Sequence, residues 1–258
     1  MANASVDGLI RLYKIDRLVQ PHQGQNQDVF NRNLINDFTS DVVLEAHQDA
    51  IWSIALHSHE NILLSCSSDS KLRYTKFVKH HDRVLKHNDS GSSYETRNYN
   101  ITSLAWSQKI PTQFYAGATR GVVVMYDLNV NSPISNITYQ GGQLNKIKAA
   151  FDNSILYGAC DDGVIRSFDS DSNKIAQNFV GHSDSVTSIS LSKNGYNFVS
   201  CGHDGKVILW DCRKSNKVCE LAGSHYNKYD ECIYDVLYVD SLNFVVSAGA
   251  DGDVNFYQ

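Results

Sequence analysis

The 258-residue sequence carries 23 Lys+Arg against 28 Asp+Glu, a formal charge of −5, with 42% hydrophobic residues and only 3 Pro. That balance argues against the basic surface of a nucleic-acid binder, and the composition is that of a packed domain, not of a disordered or fibrous chain. No run approaches the roughly 18 apolar residues of a spanning helix, and MANASVDGLIRLYKI lacks the basic head and apolar stretch of a secretory signal. The expectation is a cytoplasmic protein without a membrane span, its six Cys free thiols.

Taken in chain order, the sequence repeats itself. SVDGLIRLYK (5–14) reads as the end of a repeat unit, and residues 16–45, rich in Asn, Gln, Asp and Ser, read as a long polar loop ending in a strand at Val42–Leu44. SSDSKLRYTK (67–76) restates the first motif, and 76–96 reads as a second polar loop with a short strand at Val84-Leu85. ATRGVVVMYD (118–127) follows with Arg120 at the Asp position, then CDDGVIRSFD (160–169), GHDGKVILWD (202–211) and GADGDVNFYQ (249–258). The marker positions 7, 69, 120, 162, 204 and 251 stand 62, 51, 42, 42 and 47 residues apart. A period of about 40–45 residues with a terminal Trp-Asp, present here at Trp210-Asp211, is the signature of four-stranded WD40 propeller blades. The predicted fold is therefore all-β, a WD40 β-propeller. A partial blade at 1–45 precedes five fuller blades at about 46–96, 97–140, 141–178, 179–221 and 222–258, all in one domain.

The unit 180–211 shows the internal logic. Val186, Ser188 and Ser190 alternate with Thr187, Ile189 and Leu191 in a first strand, Asn194-Gly195 marks a turn, and Asn197–Cys201 reads as a second strand. Lys206–Trp210 is the third, and Val218–Leu221 the outer fourth. His182, Ser200 and Asp204 have the residue types of a hydrolase triad. Yet His47, Ser65 and Asp69 repeat the same offsets, and His225, Ser247 and Asp251 repeat them with a longer first interval. A triad occurs once per active site, whereas a structural network occurs once per repeat. The expected role is a buried hydrogen-bond relay in which the imidazole links the turn Asp to the strand Ser, closed by Trp210 or Tyr257. Asp162 and Phe168 are all that the 142–169 unit keeps of it, and Tyr126 all that 118–127 keeps, so those blades are expected to rely on apolar packing. Cys201, His203 and Cys212 are not spaced as zinc ligands, and neither phosphate loop nor HExxH occurs. No catalytic residue, metal or cofactor is expected.

Two stretches resemble the carboxy-terminal WD-repeat domain of the striatin family. One is LEAHQDAIWSIALHSHENILLSCSSD (44–69) and the other SHYNKYDECIYDVLYVDSLNFVVSAGAD (224–251), with 179–210 similar in its V-x-H-x-x-x-V-T-S pattern. The resemblance implies a non-catalytic scaffold in an assembly of protein phosphatase 2A, Mob-family proteins and germinal-centre kinases. In that family phosphatase anchoring is attributed mainly to a coiled coil that precedes the WD domain, a segment not found in these 258 residues. Family members look seven-bladed, so the sequence is expected to be an incomplete propeller, its last blade closed by residues 1–15 or left open.

A propeller offers partners its loops and strand starts. By period-two alternation, residues on either side of the apolar anchor of each first strand should point to one face. Together with the residues preceding the turn Asp, this nominates Trp52, Ser68, Asn145, Asp161, Thr187, His203 and Tyr234, with Trp52, Tyr234 and His203 as preferred anchors. The competing reading of Trp52 is blade core. The competing functions are a WD adaptor subunit of a ubiquitin ligase or trafficking complex and, from a different class, a propeller hydrolase, which would need converging carboxylates where only Asp161 is acidic.

Overall fold

The computed structural model describes residues 2–12, 42–80, 83–86, 93–96, 99–130, 132–151, 154–221 and 232–258, which form strands and turns without a helix. They fall into two compact units, Met1–Ser93 and Tyr94–Gln258.

In the first unit β1 (Ala2–Ala4), β2 (Leu9–Leu12) and β3 (Val42–Glu45) make a three-stranded antiparallel sheet. Next come β4 (Ile51–Leu56), β5 (Ile62–Ser67), β6 (Lys71–His80) and β7 (Arg83–Lys86) in sequential antiparallel order. Ile10, Leu44, Ala46 and Leu63 form the core between the two sheets, with Ile51 and Ile54 against it. Residues 2–12 are therefore paired within their own sheet. The segment read as a polar loop at 76–96 carries an extended β6 and its partner β7, and β8 (Ser93–Glu95) spans the unit boundary. Most of the other loop, up to residue 41, lies outside the described residues.

The second unit holds three four-stranded meanders. They are β9 (Ile101–Trp106) to β10 (Gln113–Ala118), β11 (Val122–Asp127) and β12 (Ser135–Thr138); β13 (Leu144–Ala149) to β14 (Ile155–Cys160), β15 (Val164–Asp169) and β16 (Lys174–Val180); and β17 (Val186–Leu191) to β18 (Asn197–Gly202), β19 (Val207–Asp211) and β20 (Lys217–Glu220). A three-stranded sheet of β21 (Ile233–Val239), β22 (Phe244–Gly249) and β23 (Val254–Tyr257) follows. These are WD40 propeller blades, and in this unit each first strand neighbours the first strand of the next blade.

The cores lie between blades. Leu144, Ile147, Leu156 and Phe168 pack on Tyr115, Val123 and Ile137 of the preceding blade. Phe198, Ile208 and Trp210 pack on Tyr157, Ile165 and Phe179. Phe179 meets Trp210 edge-on with centroids 5.8 Å apart, and Phe198 stacks on Trp210 at 6.0 Å. Such rings stabilise by about 0.5–1.5 kcal/mol per pair beyond the burial of their area. Between second and third strands the turns need positive φ, which Gly supplies at low steric cost: Gly121, at φ 69°, leaves no room for a Cβ beside the Tyr139 carbonyl.

Simple alternation does not hold in the first strands. Each of β4, β9, β13, β17 and β21 shifts register near its start, so Trp52, Thr102, Asn145, Thr187 and Tyr234 are extra residues at β-bulges. Residues before and after a bulge exchange faces. Beyond the bulge Ser188 and Ser190 turn to the following blade and Ile189 to the preceding one, and all three are buried because both faces of the strand are covered.

Candidate protein-interaction face

The relay residues come together in two blades. His182 lies with Nδ1 2.9 Å from one Asp204 oxygen and Nε2 2.7 Å from Ser200 Oγ, and the Trp210 indole N–H donates to the same Oγ at 2.8 Å. His47 lies with Nδ1 2.9 Å from Asp69 and Nε2 2.8 Å from Ser65 Oγ, without an indole. Asp204 and Asp69 also accept backbone N–H groups from Ser183 and Lys206 and from Gln48 and Lys71, tying the turn to the loop of the same blade. Burial alone would raise both carboxyls. The hydrogen bonds and the facing imidazole outweigh it and hold them below the ordinary value. For His47 burial dominates, and the imidazole sits below its ordinary value. In the last blade Ser247 Oγ and Tyr257 OH are 3.2 Å apart, and Asp251 accepts the Asp253 N–H at 3.0 Å. His225 lies outside the described residues.

Asp162 is served differently from expectation. Arg166, four residues on and nearly buried, reaches it with two nitrogens at 2.8 and 2.6 Å, donates to the Gln140 carbonyl at 3.1 Å, and stacks its guanidinium 5.0 Å from the Tyr139 ring centroid. This blade has a polar clamp as well as apolar packing. The signal was present in the sequence as Asp-x-x-x-Arg, and Asp7 and Arg11 make the same pair at 2.7 Å. Tyr126 stacks on Phe114 with centroids 5.3 Å apart.

Although each serine oxygen faces an imidazole backed by a carboxylate, Ser200 and Ser65 are 0% and 1% exposed, so neither hydroxyl is open to a substrate in this structure. Burial pushes the Cys66 and Cys201 thiols up to about 12, so they remain protonated. Among the described residues no three His, Cys, Asp or Glu gather as metal ligands.

The bulge residues divide into two kinds. Thr102 donates to the Leu144 carbonyl, Asn145 to the Val186 carbonyl at 2.8 Å, and Thr187 to the Ile233 carbonyl at 2.5 Å. Each reaches from its blade to the first residue of the next blade's inner strand. Asn145 also donates to Ser185 Oγ, which donates to Asp161 at 2.9 Å, so these nominated residues form one network. The polar groups of Asn145 and Thr187 are thus committed to the seams between blades. The aromatic pair differs. Trp52 is 62% exposed and Tyr234 61% exposed, which places Trp52 outside the core. Trp52 donates its indole N–H to the exposed Ser68 Oγ at 2.8 Å within its own sheet. His203 is exposed in the turn ahead of Asp204.

The repeats match known proteins. The WD domain, G-beta repeat family matches residues 38–74 and 173–211. The chain is 29% identical to Striatin-3 of Mus musculus over 216 residues, covering 81% of this chain and 26% of that protein. It is 28% identical to Striatin-4 of Homo sapiens over 254 residues, or 96% of this chain and 32% of the relative. To a striatin homolog of Dictyostelium discoideum it is 27% identical over 217 residues, covering 80% and 25%. The chain spans about a quarter to a third of the length of these curated relatives. No helix among the described residues is long and apolar enough to cross a membrane.

Proposed function

This chain is a WD40-repeat domain of the striatin family, and from that premise we propose that it works as a non-catalytic protein-interaction module of a phosphatase/kinase signalling assembly. The carrying observation is the division of the bulge residues. Thr102, Asn145 and Thr187 hold one blade to the next, while Trp52 and Tyr234 occupy equivalent positions and leave most of their surface in water. Exposed aromatics on a rigid strand lose little entropy on binding, which suits them to anchor a partner. A non-catalytic role is supported by the polar clusters being engaged in the His–Ser–Asp relays and the Arg166 clamp.

The assembly would contain protein phosphatase 2A, Mob-family proteins and germinal-centre kinases, as the striatin resemblance implies. Phosphatase contact is assigned to segments that precede the WD domain in that family, and the site of action to the cytoplasm. The test is affinity purification of the tagged chain from its own cells, with quantification of those three protein classes against Trp52→Ala and Tyr234→Ala variants. Loss of Mob-family or kinase recovery with unchanged melting temperature is the expected result. Recovery of ubiquitin-ligase or trafficking subunits in their place would replace this reading with the adaptor one.

A further inference from the structure

Positive charge is concentrated in one stretch of the first unit. Residues 71–87 hold six of the 23 Lys and Arg, namely Lys71, Arg73, Lys76, Lys79, Arg83 and Lys86, against a single acid, Asp82. The stretch carries a local +5 in a chain of −5, which leaves −10 for the rest. The fold keeps these positions together. β6, at ten residues the longest strand among the described residues, pairs with β5 as far as Ile62–Lys76 and then runs on for four more. That overrun pairs with β7 through Phe77–Lys86, Val78–Leu85, Lys79–Val84 and His80–Arg83. An antiparallel ribbon about 13 Å long therefore extends past the end of β5 with Lys76 at its base. Lys79, Arg83 and Lys86 lie on it, and its paired residues include no acid.

Nor is the charge neutralised along the sheet that carries the ribbon. Arg11 and Arg166 each grip the Asp four residues before them, at 2.7 and 2.6 Å. Arg73 has the same spacing from Asp69, but His47 holds that carboxylate at 2.9 Å. Half-buried Arg73 is left with its Nε enclosed and unbonded, and among the described residues neither it nor Lys71 nor the exposed Lys76 makes an ion pair. The cations of this stretch thus lack the carboxylates that their counterparts in other blades have, and an acidic ligand would supply them.

We propose that the β6–β7 ribbon, with Lys76 at its base, is a second docking surface, and that its occupant is a short acidic segment of a partner polypeptide. The charge distribution selects this partner. A compact cationic ribbon on an otherwise acidic chain speeds and orients the approach of a carboxylate-rich segment short enough to stay on it. A long polyanion such as a nucleic acid carries its charge well beyond the roughly 30 Å of β6 and meets the −10 of the rest. The ribbon leaves its sheet at the end remote from Trp52, since Ile51 lies level with Ser67 whereas Lys76 lies level with Ile62. This surface is therefore separate from the strand-start aromatics, and its failure would leave the interaction reading at Trp52 and Tyr234 standing.

Fluorescence anisotropy of a labelled peptide reads the surface directly. The probe is fluorescein-Gly-Glu-Glu-Leu-Glu-Glu-Gly-amide, with a neutral counterpart that carries glutamine for each glutamate. At about 50 mM salt the glutamate peptide should bind saturably and about tenfold or more tighter than the glutamine peptide, and about 0.5 M salt should remove most of that difference. Lys79→Gln/Arg83→Gln/Lys86→Gln should weaken the glutamate peptide about tenfold, and Lys76→Gln alone, at an exposed position, about twofold, with melting temperatures unchanged. Lys109→Gln/Lys206→Gln/Lys217→Gln removes the same net charge from ion pairs of the second unit and should change binding less than about twofold. If the ribbon triple variant loses stability, Lys76→Gln decides. Equal binding of the two peptides, an equal loss in the two triple variants, or no effect of Lys76→Gln overturns the proposal. Tighter binding of a short thymidine oligonucleotide or of phosphatidylserine vesicles than of the glutamate peptide overturns it too, by giving the ribbon a different class of partner.

Discussion

Removing the hydroxyl of Ser200 tests the relay most sharply, because two buried groups depend on one oxygen. With Nδ1–H of His182 directed at Asp204, Nε2 must accept the Ser200 O–H, and the Ser200 oxygen accepts the Trp210 N–H. This direction of bonding gives each of these buried polar atoms a partner. Ser200→Ala orphans the imidazole acceptor and the indole donor in a buried site, at about 1–3 kcal/mol each, or about 2–6 kcal/mol together. Ser65→Ala orphans only the His47 nitrogen, since the Trp52 indole of its blade donates to Ser68 instead, so about 1–3 kcal/mol is expected. Urea unfolding followed by circular dichroism, with the single variants, Trp210→Phe and the Ser200→Ala/Trp210→Phe double variant, would measure both costs and their coupling. The double variant should cost clearly less than the sum of the singles, because the donor orphaned by one change is deleted by the other. Equal losses for Ser200→Ala and Ser65→Ala, or strict additivity, would refute the bonding direction.

Other consequences are measurable in the same way. Arg166→Lys keeps the charge but loses the two-nitrogen grip on Asp162 and the bond to the Gln140 carbonyl, for a loss of about 1–3 kcal/mol in chemical denaturation. Gly121→Ala must displace the Tyr139 carbonyl and adopt positive φ, so it should lower the melting temperature far more than Gly195→Ala, where the Cβ meets nothing within 4 Å and only the backbone penalty of about 1 kcal/mol applies. The His47 value lies below its ordinary 6.5 in the folded chain, so the unfolded chain takes the proton first and stability falls as pH drops below about 6.5. The lowered Asp69 and Asp204 add stability above their ordinary 3.8 that is lost on further acidification. Melting temperatures from about pH 8 to pH 3 should therefore fall in two stages, and His47→Gln should flatten the first.

How much of this was legible in the sequence depended on whether a feature recurs. The relay could be read because His, Ser and Asp return at offsets of 18 and 4 in two blades, and a repeated polar constellation argues for structure over catalysis. The outer strands could be placed from a few apolar residues, as at Val42–Leu44, Val84-Leu85 and Val218–Leu221, where β3, β7 and β20 lie. Arg166 was missed because it does not occupy the His position. It reaches Asp162 from the following strand, and only the recurrence at Asp7 and Arg11 would have revealed it.

The bulges were beyond the pattern altogether. An extra residue leaves no compositional mark, since Trp, Thr, Asn, Thr and Tyr share no property, and their common role is set by backbone register. Alternation put Trp52, Asn145, Thr187 and Tyr234 in one set and gave them one meaning. The structure separates them by what lies opposite: a carbonyl of the next blade within reach of Thr102, Asn145 and Thr187, and a serine of its own sheet for Trp52. Polar side chains at the bulges of the second unit therefore report its seams between blades, whereas the rings of Trp52 and Tyr234 stay exposed. The residues that hold the blades together and those proposed to meet a partner occupy the same place in the repeat, so substitutions there are expected to split into stability and binding phenotypes according to whether the side chain is bonded to the next blade or left exposed.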